Sequence, residues 1–72
     1  MTLGVEERAV MNALRGAGVI EHAGPGRGWF EVLRERRLIE HVAGVGWMLT
    51  GEGLRVLEDV EAGEISRGAE RP

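Results

Sequence analysis

This chain predicts an α+β domain of about three helices with a small antiparallel sheet of two or three strands, on three observations. Apolar residues recur at helical spacing in residues 5–16, 29–37 and 51–62. Two short apolar runs, residues 38–43 and 46–49, flank a glycine-rich reversal. A charged helix end enters the first run directly and a helix cap follows the second, so helix, hairpin and helix are consecutive.

In the first helix Val10, Ala13, Leu14 and Ala17 stand at i, i+3, i+4 and i+7 and predict one buried face. Glu6 and Glu7 at its start and Arg15 at its end complement the helix dipole. Gly16 and Gly18 supply the stop. Residues 19–23 read either as a strand or as one irregular helical turn. The run Gly24-Pro25-Gly26-Arg27-Gly28 predicts a loop, because three glycines around a proline sustain neither regular element.

The second helix takes its apolar pairs from Trp29, Phe30, Val32 and Leu33. Both Trp29 and Trp47 are expected wholly or partly in the core. The strands reverse through Gly44-Val45-Gly46, and Thr50 caps the third helix, whose buried stripe is Leu54, Val56, Leu57 and Val60. Gly63 is expected to end that helix, which gives a domain over residues 1–63 and a flexible polar tail over 64–72.

The chain also echoes itself at an offset of 19: Leu14-Arg15-x-x-x-Val19-Ile20-Glu21-His22 matches Leu33-Arg34-x-x-x-Leu38-Ile39-Glu40-His41. A solenoid needs about three or more repeats, so two copies read as one helix-to-strand exit used twice. The echo favours residues 19–22 as a third strand.

Seventy-two residues make one domain. A chain of this length buries only about 60% of its unfolded surface, so dimerisation would be a natural supplement to its core. Surplus apolar residues such as Leu3 and Met11 are candidates for that interface. No apolar run approaches the roughly 20 residues that span a bilayer, and no leader opens the chain, which predicts a soluble, cytoplasmic protein. Cysteine is absent, excluding disulfides and thiolate metal sites. All nine basic residues are arginine. GC-rich coding bias explains that; selection for bidentate phosphate or guanine contacts is the sharper account. The net charge of −3 means that any nucleic-acid contact must come from a local patch.

Leu33, Glu35, Leu38 and Ile39 fit a Leu-x-Glu-x-Gly-Leu-Ile pattern, and Leu49, Thr50 and Gly53 fit Leu-Thr-x-x-Gly. Over residues 29–62 the chain thereby resembles the closing half of winged helix-turn-helix domains of small prokaryotic or phage regulators. Where that family carries a helix-ending glycine, this chain has Arg37, and a left-handed non-glycine residue costs roughly 1 kcal/mol. Either the exit differs here or Arg37 makes a compensating contact. The family has three helices before the wing, so residues 17–23 form a very short middle helix, or the order is α-β-α-β-β-α.

The resemblance implies a DNA-binding transcriptional regulator that docks helix 28–37 on the duplex. Arg27, Glu31, Arg34, Arg36 and Arg37 are the candidate DNA-binding residues, with Arg27 and Arg34 near base edges or backbone and Arg36 and Arg37 on phosphates. A homodimer would match two half-sites about one helical turn apart. The same residues also read as a solvated face of ion pairs such as Glu31–Arg34. Gly44, Val45, Gly46 and Trp47 form the candidate wing, whose tip is uncharged. The alternative is therefore a protein–protein interaction module, an adaptor, antirepressor or assembly subunit, that uses the fold without DNA.

Glu21, His22, Glu40 and His41 suggest a zinc site, but neighbouring strand residues point to opposite faces and exposed histidines are the default. No nucleophile, base and orienting group can be assembled around Thr2, Thr50, Ser66 and Asp59, and no Lys-Ser/Thr follows the glycine-rich loop. Neither an enzyme nor a cofactor is expected.

Overall fold

The computed structural model describes residues 3–69. It has helix α1 (Val5–Ala17), a 3₁₀ turn (Gly24–Gly26), helix α2 (Arg27–Glu35), strands β1 (Ile39–Val42) and β2 (Gly46–Leu49), and helix α3 (Gly51–Ala69). The strands pair antiparallel with Ile39 opposite Leu49 and His41 opposite Trp47. Ile20 adds a single antiparallel bridge to Trp47, sealed by Ile20 N–H to the Trp47 carbonyl at 3.0 Å and Trp47 N–H to the Ile20 carbonyl at 2.8 Å. The arrangement is α+β and winged-helix-like. Residues 19–23 contribute that one bridge and no helix, so the short middle helix expected at 17–23 is absent, and the 3₁₀ turn precedes α2 directly.

That turn is a correction. Pro25 fixes φ at a value helices accept and lacks only an N–H that a first turn leaves unbonded. The Gly-Pro-Gly run therefore winds into α2, and Arg27 opens the helix instead of riding on a loop.

Met11, Leu14, Phe30, Leu33, Leu38, Ile39, Trp47 and Leu57 form the core. The buried face of α1 thus runs through Glu7, Met11 and Leu14, while Ala13 and Ala17 are exposed. Met11 is fully buried and Leu3 packs against the core, so neither is surplus for a dimer. α1 runs through Gly16; the stop falls at Gly18, whose N–H reaches the Leu14 carbonyl at 2.8 Å. Of the expected α3 stripe, Leu57 is fully buried, Val56 and Val60 are half-buried and Leu54 is exposed. α3 also passes through Gly63 to Ala69. Gly63 near a helix end costs only about 1 kcal/mol relative to alanine, and Glu64 beyond it pairs with Arg8 of α1. The expected tail is therefore helical as far as Ala69, and residues 70–72 lie outside the described residues.

Two motifs of the sequence meet in space. Arg37 takes φ 63°, the left-handed value. The Thr50 hydroxyl donates to the Arg37 carbonyl at 2.8 Å and to that of Leu38 at 3.1 Å, while accepting the Gly53 N–H at 2.9 Å. A Cβ on Gly53 would collide with the Leu38 carbonyl oxygen. Thr50 and Gly53 thus lock the exit from α2, offsetting the strain at Arg37. Gly46 holds the hairpin: its φ is 133°, and a Cβ there would lie 2.6 Å from the Ile20 carbonyl oxygen.

Candidate nucleic-acid interface

Phe30 and Leu33 anchor α2 to the core, which leaves two stripes of side chains at helical spacing with the exposed Glu35 between them. Arg27, Glu31 and Arg34 occupy one, at i, i+4 and i+7. Trp29, Val32 and Arg36 occupy the other, at i, i+3 and i+7.

The first stripe faces the hairpin. Arg27 lines a 320 Å³ cavity with Glu21, His22, Ala23, Gly24, His41 and Trp47. Arg34 and Arg37 line a second, of 420 Å³, with Ile39, Glu40, His41 and Thr50. His41 belongs to both and connects the two ends of the edge. Its ring rests on Trp47, with centroids 4.7 Å apart. Glu31 sits between the cations, 3.0 Å from Arg34 and 4.0 Å from Arg27. Surface i,i+3 and i,i+4 pairs are worth about 0.2–0.5 kcal/mol, so a phosphate can displace them. Arg37 has no ion-pair partner among the described residues.

Arg36 goes the other way. Its Nη1 donates to the Glu7 carboxylate at 2.6 Å, and Glu7, the one buried charged residue described, also accepts the Gly4 N–H at 3.1 Å. Arg36 therefore ties α2 to α1 and stands apart from the other three arginines. Trp29 lies on this flank, 43% exposed rather than in the core, beside Val32 at 38%.

The hairpin tip is apolar. Val45 is 46% exposed at its apex. Trp47 belongs to the core instead: it is 5% exposed and meets Phe30 edge-on, with centroids 5.3 Å apart. Gly46 is buried under the Ile20 backbone. Of the four expected wing residues, only Gly44 and Val45 present a surface.

Three of the four residues of the Glu-His pairs converge, while Glu40 lines the cavity with Arg34 and Arg37 instead. Glu21, His22 and His41 line the cavity with Arg27 and a neighbouring one with Gly44, Val45 and Gly46. Among the described residues, no three His, Cys, Asp or Glu side chains are placed to hold a metal ion. The 19-residue echo was the signal for this convergence, because it puts both histidines at the same step after a helix exit. Glu7 as a buried carboxylate carried no such signal.

These features define a winged-helix-like domain with an arginine edge beside its hairpin. Comparison with known proteins gives no match to a family model, a curated protein or a solved structure. No helix among the described residues is long and apolar enough to cross a membrane.

Proposed function

We propose that the protein is a small DNA-binding regulator that contacts duplex DNA through the edge of α2 facing the hairpin, with Arg27, Arg34 and Arg37 as the cations. The observation that carries this reading is the placement of three exposed guanidinium groups in two cavities between α2 and the hairpin that share His41. Arg36, held by Glu7, is not among the contacts. Glu31 moderates the patch, and the net charge of −3 adds repulsion, so binding is weak and local. Three neutralised phosphates correspond to a slope of about −2.7 in log K against log salt. A cytoplasmic location goes with this reading; enzymatic chemistry does not.

Fluorescence anisotropy of a labelled duplex at about 50 mM salt, a range in which phosphate contacts dominate affinity, tests it. Wild-type protein binds, and R34A/R37A loses at least tenfold in affinity while remaining folded. Equal affinities for the two proteins defeat the proposal.

A second reading is favoured by Trp29 and Val32: an exposed tryptophan next to an aliphatic side chain and an arginine is typical of protein-binding hot spots. On this reading the domain is a protein-interaction module, and W29A abolishes partner capture while R34A/R37A does not.

A further inference from the structure

We infer that the cavity between Arg27, His22 and His41 is a phosphate-binding site, the seat of one backbone phosphate in the nucleic-acid reading above. The inference deepens that reading but stands on separate residues from those used to test it.

Three elements build the cavity. Arg27 enters from the first residue of α2, His22 from the segment after the Ile20 bridge, and His41 from β1. Each brings N–H donors: a guanidinium presents five in a fixed fork, and a neutral imidazole presents one. The volume of 320 Å³ holds a phosphate with water around it. The His41 ring lies against the Trp47 indole at a tilt of 52°, which places the imidazole at the edge of the cavity. The Ile20–Trp47 bridge sets the chain register two residues before His22. Glu21 is the one carboxylate lining the cavity, and among the described residues the ion-pair partner of Arg27 is Glu31, at 4.0 Å. Among the described residues Glu21, His22 and His41 are not placed to hold a metal ion together, and the Arg27 guanidinium beside them favours an oxyanion.

The sequence supplies this convergence through its repeat. Glu21-His22 and Glu40-His41 occupy equivalent steps of the two helix-to-strand exits, and β2 sits between the exits, with Trp47 paired to both Ile20 and His41.

The test uses the whole protein and inorganic phosphate, followed by NMR of the backbone amides and of the histidine and arginine side chains. Phosphate shifts His22, His41 and Arg27 together with one dissociation constant. R27A weakens that constant about tenfold, as loss of one charge-assisted contact does. E21Q moves it the other way, tightening binding by removing the lining carboxylate, which a merely structural role for Glu21 would not produce. R34A/R37A leaves phosphate binding within twofold while weakening duplex binding at least tenfold, so failure of the duplex reading and failure of this site are separable. Absence of a common shift at His22, His41 and Arg27, or an unchanged constant in R27A, overturns the inference.

Discussion

Arg37 shows how one residue links sequence to site. At φ 63° it occupies a backbone region in which a side chain is strained, yet its position puts a guanidinium beside Arg34 at the hairpin. Thr50 makes this tolerable by donating to the Arg37 carbonyl and capping α3. Thr50→Ala is expected to cost about 1–2 kcal/mol in urea unfolding, the range for a lost cap; a change below about 0.3 kcal/mol would show that the hydroxyl does not hold the exit. Arg36 and Arg34 differ just as sharply. Arg36→Ala leaves the Glu7 carboxylate buried without its cation and costs about 1–3 kcal/mol, whereas Arg34→Ala removes only an exposed pair worth about 0.2–0.5 kcal/mol. Equal losses in the same assay would contradict the assignment of Arg36 to the α1–α2 contact. Sequence periodicity could not separate these arginines, because the separation depends on Glu7 arriving from another helix.

At the scale of elements, ion pairs flank the apolar packing of α1 and α3. Arg15 donates to Glu61 at 2.5 and 2.8 Å and Arg8 binds Glu64. The hydrogen bonds from Arg15, with its charge, hold the Glu61 carboxyl below the usual carboxylate range, and Glu61 in turn raises Arg15 above its ordinary value. A carboxylate with a depressed pKa stabilises the fold above its unfolded pKa and loses that contribution as pH falls through its folded one. The Arg15–Glu61 coupling in a double-mutant cycle of R15A and E61Q is therefore present at neutral pH and vanishes at acid pH. A coupling that persists in acid would mean that the pair acts through packing. The three helices and the hairpin were legible because each follows from spacing and turn chemistry within its own segment. The extension of α3 past Gly63 was not, since it includes contact with α1. The 3₁₀ turn was hidden by reading glycine as a breaker, although Pro25 favours a first turn.

For the whole molecule, the apolar clamps matter most. Trp47 packs its ring against Phe30 and pairs its backbone with Ile20, so one residue joins α2, the hairpin and the bridge segment. Gly53 lets α3 approach the Leu38 carbonyl. Gly53→Ala is expected to cost about 1–3 kcal/mol through overpacking, a visible loss for so small a core, and an unchanged melting temperature would contradict that approach. The candidate site was half legible: Arg27, Arg34 and Arg37 stand together, while Arg36 and Trp47 are taken by tertiary contacts. The exposure of Trp29 was hidden because its neighbours Phe30 and Leu33 fill the buried face alone.

The central claim concerns which side of α2 meets a ligand. Titration of duplex DNA into isotopically labelled protein, followed by amide and side-chain NMR shifts at low salt, reads this residue by residue. Shifts at Arg27, Arg34, Arg37 and His41, fading as salt rises, are the predicted result. Shifts confined to Trp29, Val32 and Arg36, or none at all, would contradict the account.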